Sequence, residues 1–171
     1  MSTHATRLEI HVAGTPEAQD RRTCERKRRD GTTFAGTYLL KSTREWRRSV
    51  LWAARRTPGF PDEPWDGPVR VSIEAFFDRT KELLRPRCPD RPIRKNSKPD
   101  ADNLVKAILD ALTPPRLKRG ITNEQIRAAS RRGYLWIDDG QVHLGPVDRW
   151  YAARGCGPGV IVTVERIREG E

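Results

Sequence analysis

Leu8, Ile10 and Val12 alternate with Glu9 and His11, the period-2 pattern of a strand that buries one face. Val69, Val71, Ile73, Ala75 and Phe77 repeat that alternation over a longer run and predict the clearest strand of the chain. Between them, Trp46, Val50, Ala53 and Ala54 recur at helical spacing through about Arg56, with arginines on the other side. Ser42 or Thr43 offers a side-chain oxygen to cap this helix. A second helix follows residue 100, where Leu104, Val105, Ala107, Ile108, Leu109, Ala111 and Leu112 form one apolar arc. Residues 134–137, residues 142–147, and Val160, Val162 and Val164 then predict three short strands. The periodicity lapses in a basic loop at 14–36, a Pro-rich bridge at 57–68, a Pro/Arg segment at 85–99 and the stretch 113–133. The resulting order, β-α-β-α-β-β-β, predicts an α/β (α+β) layer: a small mixed sheet flanked by helices in a single domain spanning 1–171.

Composition narrows this picture. With 171 residues, 36% hydrophobic and 33% charged, the chain can bury a core, though a lean one that a dimer would supplement. It has no apolar run near the roughly 20 residues of a spanning helix, and its mean hydropathy is -0.76. A membrane role is therefore not expected, and the lack of an apolar signal core near Met1 places the protein in a reducing cytoplasm. The formal net charge of +10 makes a field that attracts polyanions, nucleic acid foremost. Six of the nine positions from Arg21 to Arg29 are basic (Arg21, Arg22, Arg26, Lys27, Arg28 and Arg29). Such runs are often solvated faces, but phosphate contact is the favoured reading here. Cys24, Cys88 and Cys156, with His4, His11 and His143, lack the close spacing of a zinc site, and their odd count argues against a disulfide framework. Free thiols are expected, and any metal would be held by oxygen ligands.

Against that basic background, the start of the second helix carries acids. On a helical wheel with ~100° per residue and Asp102 at zero, Lys106 falls near ~40°, Asp110 near ~80° and Asn103 near ~100°. One polar face therefore holds all four. Asp100 fits this face only from the N-cap, where extended backbone angles swing its carboxylate off the helical path, and Pro99 requires Lys98 to be extended. Helix capping and macrodipole stabilisation are the plain alternative for Asp100 and Asp102, and an i,i+4 ion pair is the alternative for Lys106. A second acidic element, Trp136-Ile137-Asp138-Asp139-Gly140-Gln141-Val142, reads alone as a turn. Together the two elements suggest carboxylates that share a cation, since such groups repel one another unless protonated or bridged. Mg2+, or Mn2+ in its place, suits oxygen donors and delivers activated water to a phosphodiester. Lys106 would meet the scissile phosphate. Lys95 and Lys98 approach this site and would guide the strand to be cut. Trp46, Trp52, Trp65, Trp136 and Trp150 read as core or interface residues.

KPDADNLVKAILDAL and WIDDGQV resemble the two signature blocks of the RusA-like Holliday junction resolvases, small homodimeric endonucleases. Gly14-Thr15-Pro16 with Gln19, Arg21 and Arg22 is similar, more loosely, to the N-terminal loop of that family. The resemblance implies that Asp100, Asp102 and Asp139 bind the metal, that Lys106 is the catalytic lysine, and that Asp138 is a neighbour or auxiliary ligand. It further implies a homodimer that nicks paired strands of four-way branched DNA, one cut per subunit, with metal-activated water attacking the phosphodiester. Relative to the compact family pattern, residues 114–133 are an insertion. Its basic residues, Lys118 and Arg119 among them, extend the DNA surface or form a solvated excursion, and Thr122 with Gln125 resembles a capping box. Two other functions compete: a noncatalytic branched-DNA-binding or architectural protein, and a metal-dependent nuclease for flaps or RNA.

Overall fold

The computed structural model describes residues 7–115 and 133–167. Its elements are β1 (Arg7–Ala13), β2 (Arg21–Lys27), β3 (Thr33–Leu39), α1 (Lys41–Arg56), β4 (Val69–Phe77), β5 (Ile93–Arg94), α2 (Ala101–Leu112), β6 (Val142–Tyr151) and β7 (Gly159–Arg166), with 3-10 turns at Lys81–Leu84 and Asp139–Gln141. Five strands form one mixed sheet in the order β1-β7-β4-β6-β5, and β2 pairs with β3 in a separate ribbon. The β4–β6 pair alone is parallel, as befits strands joined by a crossover that contains α2. This is the expected single α+β domain.

The alternating sequence explains the packing. Cross-strand registers stack Leu8, Val164 and Val71 in one row, Ile10, Val162 and Ile73 in the next, and Val12, Val160 and Ala75 in a third. All nine are at most 3% exposed, and each large aliphatic side chain buried this way is worth about 1.5–3 kcal/mol. Over this face lie α1, through Trp46, Val50 and Ala54, and α2, through Leu104, Val105, Ala107, Ile108, Ala111 and Leu112. Arg7, Glu9 and His11 point to the opposite, solvated face. Among the described residues no helix is long and apolar enough to cross a membrane.

Five local expectations require correction. The basic loop at 14–36 contains most of a β-hairpin: the Arg21–Lys27 strand has no apolar alternation, so its pairing with Thr33–Leu39, rather than burial, makes it extended. The turn between them was legible in Asp30-Gly31, where Gly31 takes a φ of 86° and the Asp30 carboxylate accepts from the Thr32 N–H (2.9 Å) and hydroxyl (2.6 Å). Neither Ser42 nor Thr43 caps α1, whose N-cap is Leu40 without a side-chain bond. Thr43 is buried inside the helix and donates to the Ala18 carbonyl at 3.4 Å. Residues 134–137 form no strand. The Leu135 N–H is spent on the Leu112 carbonyl (3.0 Å) and the Leu135 carbonyl on the Trp65 N–H (2.9 Å), which leaves a lone bridge between Trp65 and Trp136. Finally, β6 runs past Val147 to Tyr151 across a bulge at Gly145 and Pro146, because proline cannot donate to the ladder. The Pro/Arg segment at 85–99 also holds the short β5.

Candidate active site

Asp100 is the N-cap of α2, with φ -68° and ψ 145°, yet its side chain makes no capping bond. The expected backbone geometry is therefore present without the capping role that would have explained the residue. Chain direction into this cap is set from β6, where Arg149 donates to the carbonyls of Ser97 (3.1 Å) and Pro99 (2.5 Å). The Lys98-Pro99 peptide is cis. Along α2, Asp102 and Lys106 are exposed, Asn103 and Asp110 half-buried, and the apolar arc lies in the core, as the helical wheel requires. The Asn103 carbonyl accepts from the Gln19 N–H at 2.9 Å, which ties the segment after β1 to the first turn of the site helix.

The second acidic element divides its labour. Asp138 caps the 3-10 turn, accepting from the Gly140 N–H at 2.7 Å in a reciprocal capping box with Gln141. Gln141 accepts from the N–H groups of Ile137 and Asp138 and donates to the carbonyls of Trp65 and Gly67, so it locks the acidic turn to the bridge before β4. Trp136 is fully buried and donates to the Thr113 hydroxyl at 2.7 Å, as a supporting residue should. Asp139 is left to face a cleft of about 550 Å³ whose lining includes Arg47, Arg48, Lys106, Asp110 and Tyr134.

One wall of that cleft is an Arg47–Asp110 ion pair joining α1 to α2, both side chains largely buried. Arg47 also reaches the Gln19 side-chain oxygen at 3.5 Å. Nothing in the apolar spacing announces this pair, although Asp110 lies on the predicted polar face. Arg149 likewise carried no sequence signal.

Among the described residues the other aspartates are mostly committed. Asp30, Asp78 and Asp138 accept hydrogen bonds, whereas Asp20, Asp66, Asp90, Asp110 and Asp148 face arginines. Asp100, Asp102, Asp139 and the remote Asp62 have no such partner. In a chain of net charge +10, three uncommitted carboxylates at the two signature blocks are the donor chemistry of a hard divalent ion. No three acid, histidine or cysteine side chains among the described residues are gathered into a ready metal cage. The donor types fit, and Lys106 and Asp139 share a cleft, but the described residues do not form a closed carboxylate cluster.

The basic residues separate in the same way. Arg22, Arg26, Lys27, Arg28 and Arg29 are exposed on the hairpin and its turn, and Lys98 is exposed beside α2. The Arg21 side chain, Lys118, Arg119 and the capping pair Thr122 and Gln125 lie outside the described residues. Lys95 is not available to guide a strand. It is 7% exposed, donates to Ser97 Oγ at 2.5 Å, and sits 4.9–5.1 Å from the ring centres of Tyr151 and Phe77. Its hydrogen-bond partners explain the burial: a charged amine leaves water only when paired. The same group shifts Tyr151, whose phenol is held below its ordinary pKa by the Ser97 hydroxyl and, beyond that, by Lys95.

No curated protein sequence matches the chain. The family model described as Endodeoxyribonuclease RusA matches residues 13–121, which takes in the hairpin, both helices and β4, and with them Asp100, Asp102 and Lys106. Since more than half of the chain is matched, it belongs to the RusA family of endodeoxyribonucleases, hydrolases that resolve Holliday junctions.

Proposed function

We propose that this chain resolves four-way DNA junctions by paired nicks with Mg2+ as the working ion, Asp100, Asp102 and Asp139 as its ligands and Lys106 as the catalytic lysine. Nucleases of this family generally depend on a divalent metal. The observation that carries the assignment is the uncommitted state of those three carboxylates in a protein that pairs most of its other aspartates. When bound, Mg2+ supplies Lewis acidity toward a phosphate oxygen and lowers the pKa of water beside it. The residues do the rest. Asp100 and Asp102 approach from the cap and first turn of α2, and Asp139 from the turn that Asp138 and Gln141 hold rigid. Lys106 places an ammonium in the cleft, where it offsets charge that develops on the phosphoryl oxygens. Arg47 and Asp110 neutralise each other and keep α1 and α2 at a fixed separation, while Arg48 leaves a positive rim. A junction with two-fold symmetry presents two scissile phosphates, so a homodimer with one site per subunit matches the substrate.

The test is cleavage of a synthetic four-way junction in Mg2+, compared with flaps, linear duplex and RNA at one salt concentration. Asp102→Asn should lower the cleavage rate by about 10²–10³ or more, the scale of removing one electrostatic group from a site, while junction affinity stays within about twofold. A near-wild-type rate for Asp102→Asn would remove the assignment. Preferential cutting of flaps or RNA would keep the chemistry and replace the substrate.

A further inference from the structure

The β2–β3 hairpin carries a surface that the cleavage chemistry does not use. Its register pairs Arg22 with Tyr38, Cys24 with Gly36 and Arg26 with Phe34, so these six residues share one face. Phe34 is 39% exposed and Tyr38 42% exposed, so both rings present apolar area to solvent. Arg28 lies over Phe34 with its guanidinium carbon 5.2 Å from the ring centre. Gly36 keeps the middle of the face flat: a Cβ there would come within 2.9 Å of the Arg26 side chain, which lies across it. At the root of the ribbon, a groove of about 670 Å³ is lined by Arg26, Thr37, Tyr38, Leu39 and Arg44. Asp20 lies 3.8 Å from Arg22 in an exposed and therefore weak pair.

The hairpin is also placed with respect to the catalytic helix. Leu40 donates to the Asp20 carbonyl across its base at 3.4 Å, and the preceding Gln19 N–H is bonded to the Asn103 carbonyl at 2.9 Å. The ribbon thus springs from the residue pinned beside Asp102. Exposed rings flanked by guanidiniums have two complementary partners in one ligand, the π-face of a nucleobase and the phosphate next to it. In a paired duplex the base faces are already stacked on their neighbours; at a branch point they are accessible.

We propose that the face formed by Arg22, Arg26, Phe34 and Tyr38, with Arg44 of α1, is a stacking platform for a nucleotide unpaired at the branch point of the DNA. Tyr38 and Phe34 take the base faces, and the three arginines take the flanking phosphates. The inference rests on the junction-cutting reading above and names a second contact for that substrate, separate from the metal site.

Equilibrium binding without divalent metal separates the two. Wild-type protein, Tyr38→Ala, Tyr38→Phe and Arg22→Gln are titrated into a four-way junction and into a linear duplex of matching sequence at one salt concentration. Thermal melting confirms that each variant is folded, and sedimentation reports its subunit state. Tyr38→Ala should weaken junction binding about tenfold, within the range for loss of one base–aromatic stack, and change duplex binding less than twofold. Tyr38→Phe should retain wild-type affinity because it keeps the ring. Arg22→Gln should weaken both substrates by the same factor. Equal losses on junction and duplex for Tyr38→Ala, no loss on either, or a Tyr38→Phe variant as weak as Tyr38→Ala, would overturn the platform. Dissociation of a dimer by Tyr38→Ala would also overturn it, by assigning the face to a second copy of the chain. A wild-type protein with no junction preference would take down the functional reading together with the platform.

Discussion

Two arginine-rich regions of this enzyme use the same side chain in opposite ways. In the irregular segment between β4 and β5, Arg79 donates to the carbonyls of Ala152, Leu83, Pro89, Asp90 and Arg91 at 2.7–3.1 Å, which exhausts all five N–H groups of a guanidinium. Arg154 does the same for Leu84, Arg85 and Cys88 while pairing with the Asp90 carboxylate. In the hairpin, by contrast, ladder bonds between β2 and β3 take the inward carbonyls and leave the outer ones to water, and Arg22, Arg26, Arg28 and Arg29 remain exposed. Arginine density alone does not mark a DNA surface. What frees the side chain is whether the surrounding backbone has found its own partners.

The largest effect that would break this contrast comes from Arg79→Ala. It leaves several carbonyls in a segment without a ladder, and should cost about 3 kcal/mol of unfolding free energy, at the upper end of ordinary single substitutions. Urea denaturation measures it; a loss below about 0.5 kcal/mol, the scale of a neutral surface change, would mean the segment is held by something else. Next in size is the double variant Arg22→Gln with Arg26→Gln. Its stability should stay within about 0.5 kcal/mol of wild type, while the dependence of log affinity on log salt should flatten by about 0.9 per lost phosphate contact. An unchanged slope would show that the hairpin arginines make no phosphate contact.

The smallest effect concerns the hairpin turn. The Asp30 carboxyl is held below its ordinary pKa of 3.8 by the Thr32 hydroxyl, and after it by the Thr32 N–H. A depressed pKa in the folded state contributes stability that is present above the unfolded value and disappears as pH falls through the folded one. The Thr32 amide should therefore lose hydrogen-exchange protection when the protein is taken below the usual carboxylate range, and Asp30→Asn should show the weaker protection at neutral pH. Protection that ignores both changes would assign the turn to the Gly31 backbone alone.

Legibility in the sequence followed burial. β1, β4, β7 and both helices were readable because each buries one side, so that periodicity of 2 or 3.6 is imprinted on residue type. The β2–β3 ribbon and the two-residue β5 bury almost nothing and left no such imprint; Asp30-Gly31 was the one available signal. The sequence also located the candidate site to α2 and the Asp138–Asp139 turn, since acids in a basic chain stand out. It could not distribute roles inside the site. Adjacent carboxylates Asp138 and Asp139 look alike on paper, and only the 3-10 turn spends one on its own backbone while leaving the other in the cleft with Lys106. Lys95 and Lys98 were similarly equivalent until Lys95 was found buried against Phe77 and Tyr151.

By itself, then, the sequence determined the layer of two helices on a sheet, the polar face of α2, the extended geometry of Asp100 and the family of the enzyme. These depend on local backbone preference and on one-sided burial, both of which act over a few neighbouring residues. Tertiary structure decided which charges are spare. Whether Asp110, Arg79, Arg149 or Lys95 is available depends largely on partners brought from distant parts of the chain, such as Arg47 for Asp110, the Ala152 carbonyl for Arg79, the Pro99 carbonyl for Arg149 and the Tyr151 ring for Lys95. A charged group with such a partner is part of the scaffold. One without it, like Asp102 or Lys106, is left exposed on the polar face of α2.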